Sequence, residues 1–246
     1  MRRLILALIL LLPASISLAN EGGVKLQQAH NDITDKASLQ AGAQLFVNYC
    51  MGCHSTKYSR YQRVATDLGL SNEEMMKNLM FNTNKIGDTM TIAMDSDDAE
   101  RWFGVIPPDL SAISRARGVD WLYTYLLSFY LDSSRPMGIN NLVFKDVGMP
   151  HVLWDRQGWQ KAVHETVTDA HGKTHEVIKL ELVDKADEAK ADSYRQDVRN
   201  LVNFLDYVGE PAKLIRYDLG WKVLLFLAIF FVFAYLLKKE YWRDVH

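Results

Sequence analysis

The sequence predicts a mainly α-helical domain with one small β-hairpin, exported across a membrane and held to it by a single C-terminal helix. Three observations carry that expectation. Apolar residues recur at steps of three and four in several stretches of residues 38–209, the period of a half-buried helix. Residues 164–183 alternate instead, the period of a strand pair. Residues 223–237 are apolar throughout, in a chain whose overall make-up is ordinary. Its 246 residues, 48% hydrophobic with a formal charge of −2, exclude a disordered or collagen-like protein.

The chain begins MRRLILALILLLPASISLAN, with Arg2 and Arg3 ahead of an apolar run at 4–12. Ser17 and Ala19 place small residues where a signal peptidase needs them, so residues 1–19 read as a secretory signal cut after Ala19. Pro13 and the shortness of the run argue against an uncleaved anchor there.

A first helix is expected from near Ser38 through LQAGAQLFVNYC, with Leu39, Gly42, Phe46, Tyr49 and Cys50 along one side. SNEEMMKNLM reads as a second, capped by Ser71 or Asn72 and acidic in its first turn. Residues 82–111 read as loop, with Pro107 and Pro108 blocking regular helix. GVDWLYTYLLSFYLD is expected to be a single apolar helix, and residues 140–158 show no sustained period. The hairpin at 164–183 turns at Gly172. A last domain helix carries Val198, Leu201, Val202, Leu205 and Val208 on one face and is closed by Gly209 and Pro211.

Together with residues 219–221, the apolar stretch at 223–237 reaches about 20 residues, enough at about 1.5 Å per residue to span a bilayer's hydrocarbon core. Lys222 lies at the edge, where its stem can snorkel, and Trp221, Tyr235, Tyr241 and Trp242 suit the two interfaces. Lys238, Lys239 and Arg243 follow the span and put the tail in the cytoplasm by the positive-inside rule. The expected division is a signal at 1–19, an exported domain at 20–217, a transmembrane helix at 218–238 and a cytoplasmic tail at 239–246. Of 28 Lys and Arg and 30 Asp and Glu, six and three lie outside residues 20–217, so that domain holds 22 against 27, about −5. Such a balance disfavours nucleic acid and favours a cationic partner.

The two cysteines stand together in NYCMGCHS, Cys50 and Cys53, with His54 directly after. A disulfide between residues three apart closes a tiny loop with poor geometry. A thioredoxin-type pair needs a βαβ context, and zinc needs two further ligands at suitable spacing. His164, His171 and His175 gather at the hairpin tip, where solvated histidines are ordinary. The pattern Cys-x-x-Cys-His fits haem attachment: two thiols at i and i+3 add to the vinyl groups, and the adjacent histidine is the proximal iron ligand. This uses all the cysteine of an exported chain.

An electron-transfer haem needs a second axial ligand, and a Met thioether favours ferrous iron and a higher potential. Met75, Met76 and Met80 share one helix and suit core. Met90 and Met94 in DTMTIAMDSDD remain open, as do Met137, Met149 in DVGMPHVLW and His151 beside it. Gly148 permits close backbone approach and Pro150 stiffens the strap around Met149.

SLQAGAQLFVNYCMGCHSTKYSRYQRVATDLGL, PPDLSAISRARG, GMP and the C-terminal anchor resemble, in order and spacing, the cytochrome c1 family of the proteobacterial quinol–cytochrome c reductases, the cytochrome bc1 complexes. The likeness runs from about residue 19 to the C-terminus. It implies a class I cytochrome c-like haem domain holding one covalent haem c, with Met149 as the axial methionine. It further implies that Arg117 pairs with a haem propionate and that Pro108 lines the haem pocket. The chain departs from the mitochondrial pattern at MTIAMDSDD, where that pattern has a longer loop. Electrons would arrive from the Rieske iron–sulfur protein and leave to a soluble cytochrome c, with cytochrome b and membrane lipid beside the anchor. The location implied is the inner membrane with the haem domain in the periplasm, and no catalysis is expected from this chain alone. The alternatives are an independent membrane-anchored monohaem carrier to a terminal oxidase and a haem-based ligand sensor.

Overall fold

The structure is a computed structural model that describes residues 24–168, 174–184 and 188–245. The predicted signal at 1–19, His171 and the Gly172 turn lie outside the described residues.

Helix α1, Lys36–Leu45, starts earlier than expected. Its N-cap is Asp35, whose carboxylate accepts the Ser38 N–H at 3.1 Å, so Ser38 sits inside the first turn and not at its cap. A carboxylate also opposes the positive end of the helix dipole, which a hydroxyl does not. After Leu45 the chain widens into a π-helical turn, Phe46–Cys50. The last domain helix, α8, Glu188–Gly209, packs along α1. Its Val198, Leu201, Val202, Leu205 and Val208 are all buried, as their period requires. The crossing is close because of Gly42: a Cβ there would sit 2.0 Å from the Asn200 carbonyl oxygen and 2.8 Å from Phe204 Cβ. Phe46, Phe204 and Tyr207 fill the space beside the crossing.

Between these two helices lie short elements in sequence order. Strand β1, Thr56–Arg60, pairs antiparallel with β2, Thr89–Met90. Helix α2, Tyr61–Leu68, and helix α3, Asn72–Asn78, follow β1. Ser71, one of the two expected caps, forms a reciprocal capping box with Glu74 at the start of α3. The stretch expected to be loop contains helix α4, Ser96–Phe103, because Asp95 caps it, accepting the N–H groups of Asp97 and Asp98, and Gly104 closes it.

Helix α5, Ile113–Arg117, leads through Gly118 into α6, Val119–Leu127. The single apolar helix expected over residues 118–132 therefore ends at Leu127, and Phe129–Leu131 is strand β3. It pairs with β4, Ile139–Asn141, antiparallel and with β5, Gln160–Thr168, parallel. Helix α7, Trp154–Gln157, precedes β5, and β6, Thr174–Leu182, completes the predicted hairpin in continuous antiparallel register. The hairpin is thus half of a four-stranded sheet ordered β4-β3-β5-β6. The mainly α class holds, with more sheet than the alternation at 164–183 shows.

Helix α9, Lys213–Tyr241, leaves the domain after Pro211. Its most apolar window has a mean hydropathy of 2.2 and none of it is buried, so it is no core helix of this domain.

Candidate haem site

The π-helical turn delivers Cys50, and a further helical turn delivers the other two groups. The Cys50 carbonyl accepts the N–H groups of Cys53 at 3.0 Å and His54 at 2.9 Å. That winding keeps the two thiols on one side of the chain, as a spacing of three demands. Both are free cysteines, Cys50 buried and Cys53 half-buried. Burial, with Cys53 close by, pushes the Cys50 thiol up to about 12, so it stays protonated.

His54 is oriented by the backbone. Its Nδ1 lies 2.8 Å from the Pro108 carbonyl oxygen and, since a carbonyl only accepts, Nδ1 carries the proton. Nε2 is then left with its lone pair, the arrangement typical of a metal-ligating imidazole. Burial lowers the ring's pKa against the opposing pull of the Pro108 bond and Asp109, which keeps it in the neutral, ligating form. The loop that supplies this carbonyl is laced to the segment after His54. Leu110 N–H donates to the Ser55 carbonyl at 2.8 Å, Lys57 N–H to Asp109 at 3.0 Å and Tyr58 N–H to Ser111 Oγ at 3.2 Å. Pro108 thus acts through its backbone oxygen, a role that residue type alone does not reveal.

The same loop reaches the strap that carries Met149. A Cβ on Gly148 would meet Val105 Cγ1 at 2.8 Å, so the strap passes close by Val105. Met149 is half-buried, packs against Phe129, Ile139 and Val147, and its Sδ accepts the Tyr125 hydroxyl at 3.4 Å. Arg117 lies over the Trp121 ring at 5.1 Å and the Phe144 ring at 5.7 Å, and Trp121 stacks on Tyr125 at 5.0 Å. The Pro108 carbonyl meets His54, Val105 of the same loop approaches Gly148 beside Met149, and the aromatic stack joins Arg117 to Met149.

The other candidate ligands differ in burial, and the segment of Met90 and Met94 also runs beside the residues after His54, Met90 pairing with Thr56 and the Ile92 N–H donating to Ser55 Oγ at 3.0 Å. Met75, Met80 and Met90 are buried in the main core, whereas Met76, expected to fill core with them, is 43% exposed. Met137 is exposed and Met94 is half-buried in the loop before α4. His151 lies flat on Phe129 at 4.8 Å, with Trp159 and Tyr194 on its edges. Burial there, against weaker pulls from Gln157 and Asp155, lowers its pKa to about 4. Among the described residues no three His, Cys, Asp or Glu side chains gather as a metal cluster, and the single candidate histidine with paired thiols is the pattern haem needs instead.

Tyr125 escaped the sequence reading, since one tyrosine among several in an apolar helix carries no distinguishing signal; its position opposite Met149 comes from β3 and β4 bringing the strap back.

The donor set and its order along the chain agree with a comparison to known proteins: the Cytochrome C1 family model matches residues 27–245. The chain belongs to the cytochrome c1 family. Cytochrome c1 of Allochromatium vinosum is 52% identical over 247 residues, covering the whole of both chains. The mitochondrial cytochrome c1 heme protein of Neurospora crassa is 26% identical across 85% of this chain and 62% of its own length. A Nitrosomonas europaea protein named ammonia monooxygenase gamma subunit is 45% identical, covering 98% of this chain and 97% of that one. Cytochromes c1 carry one covalently bound haem c and act in electron transfer within the bc1 complex. The residues described here fit that group: two thiols one turn apart, an imidazole with its lone pair free and a thioether beside an aromatic wall.

Proposed function

We propose that this chain is the electron-transferring haem subunit of a quinol–cytochrome c reductase, taking single electrons from the Rieske iron–sulfur protein and passing them to a soluble cytochrome c. When bound, haem c supplies a one-electron ferric–ferrous couple. In this reading Cys50 and Cys53 would hold it by thioether bonds, and His54 and Met149 would ligate its iron. Pro108 fixes the imidazole through its carbonyl, and Arg117 would pair with a propionate. The observation that carries the reading is the His54 Nδ1 bond to Pro108, which leaves Nε2 unprotonated one residue after the second thiol. With both His54 and Met149 ligating, the group would serve electron transfer rather than oxygen or ligand-sensing chemistry.

The family and the unburied apolar helix α9 support a membrane-anchored subunit beside cytochrome b. The proposed arrangement has a signal at 1–19, the haem domain in the periplasm at 20–217, a single span at 218–238 in the inner membrane's lipid and the tail at 239–246 in the cytoplasm. Lys238 and Lys239 in the last turn of α9 support that orientation. The test is purification through a tag after His246. Cytochrome b, an iron–sulfur protein and quinol-dependent cytochrome c reduction should accompany the chain; an independent carrier would be isolated alone.

A further inference from the structure

We infer that Tyr125 is a positioning residue for the Met149 thioether: its hydroxyl donates to Sδ, fixes the direction of the sulfur and weakens it as an electron donor. The inference rests on Met149 being the second axial ligand.

A thioether sulfur can only accept, so in the 3.4 Å contact the tyrosine hydroxyl is the donor. The phenol has little freedom to turn away. Its ring is stacked on Trp121 at 5.0 Å and 9°, and meets Phe129 edge-on at 5.1 Å and 68°. Its own carbonyl accepts the Asn141 side-chain amide at 2.8 Å. The Asn141 side-chain oxygen also accepts the N–H groups of Val143 and Phe144, which start the run leading to Gly148. Phe129 in turn lies flat on His151, two residues beyond Met149. Donor and acceptor therefore belong to one packed unit, approached from both ends of the strap.

Two consequences follow from sulfur chemistry. A thioether has two lone pairs, and occupying one with a hydroxyl directs the other, which selects one of two orientations at iron. The bond also withdraws electron density from sulfur, and a weaker donor stabilises ferric iron less, so the hydroxyl raises the potential.

The experiment compares Tyr125→Phe, Tyr123→Phe and Met149→Leu in the full-length, haem-loaded protein by redox titration and by the Met–iron charge-transfer band. Tyr125→Phe keeps the stacked ring and removes one oxygen. It should retain the band at a shifted position and titrate at a lower midpoint potential. Tyr123→Phe, whose hydroxyl goes instead to the Arg195 carbonyl at 3.5 Å, should match the unaltered protein in both. An unchanged potential in Tyr125→Phe, with the band lost only in Met149→Leu, overturns the inference and leaves Met149 as ligand. A band that survives Met149→Leu overturns the ligand assignment itself. Should Tyr125→Phe not accumulate, proton NMR of the reduced unaltered protein decides. A Tyr125 hydroxyl proton protected from deuterium exchange supports the bond, and one that exchanges as fast as an exposed phenol refutes it.

Discussion

His54 can offer iron only one nitrogen once Nδ1 is tied to the Pro108 carbonyl, so a single contact sets both the tautomer and the facing of the ring. Because the acceptor is backbone, Pro108→Ala should retain it. The expected cost is the loosened loop alone, about 0.4–1 kcal/mol in denaturant unfolding, with covalent haem retained. Cys53→Ala removes one of the two thiols proposed to hold haem, and haem staining on a denaturing gel should fall sharply; undiminished covalent haem would contradict the attachment. Met149→Leu removes the thioether while keeping a similar volume, so the reduced protein should bind carbon monoxide and titrate at a lower potential. The grouping of Cys50, Cys53 and His54 was legible from spacing alone, because all three stand within five residues of one another. Met149 was not separable from Met90, Met94 and His151 by local sequence. In the structure Met90 has 0% exposure inside the core and His151 is packed flat against Phe129, while Met94 is half-buried as Met149 is.

At the scale of elements, the site is built on the crossing of α1 and α8. The π-helical turn that presents Cys50 begins where Phe46 enters that crossing and packs on Phe204. Gly42→Ala would press a methyl group into the backbone of α8 at Asn200, and a loss of about 1–3 kcal/mol is expected. Thermal unfolding followed by circular dichroism measures it, and an unchanged transition would show that the helices separate without cost. Elements with strong local signals were readable: the capped, acidic start of α3 and the apolar face of α8. Strand β3 was not, because Phe129, Tyr130 and Leu131 continue the apolar run of α6 without a breaker. Its conformation comes from pairing with β4 and β5, partners beyond the reach of any sequence window.

For the molecule as a whole, the question is how a haem domain is joined to its anchor. Lys213, the first residue of α9, donates to Asp206 in α8 at 2.9 Å, and Asn31 donates to the same carboxylate oxygen at 2.7 Å. Asp206 is 9% exposed, so Lys213→Met leaves a largely buried carboxylate without its cation, held by the Asn31 amide. A loss of about 1–3 kcal/mol in domain stability is expected, less than for a fully buried pair because water still reaches the ammonium. The domain's excess of carboxylates should steer a basic soluble cytochrome c. Reversing several of them is expected to slow its reduction at low ionic strength, with the difference closing as salt is added. Rates that stay equal at low salt would remove charge from the account of docking.

Sequence by itself determined the chemistry and the setting: paired thiols with an adjacent imidazole, a mainly helical domain and an apolar stretch long enough for a bilayer. Each of these is written in residues next to one another, or in one repeating period, and so survives without knowledge of the fold. Only the tertiary structure decided which carbonyl orients His54, which methionine stands beside an aromatic wall and that Tyr125 reaches its sulfur. Those contacts join residues 54 with 108 and 125 with 149, and separations of that size are settled by how helices and strands pack, not by local preference.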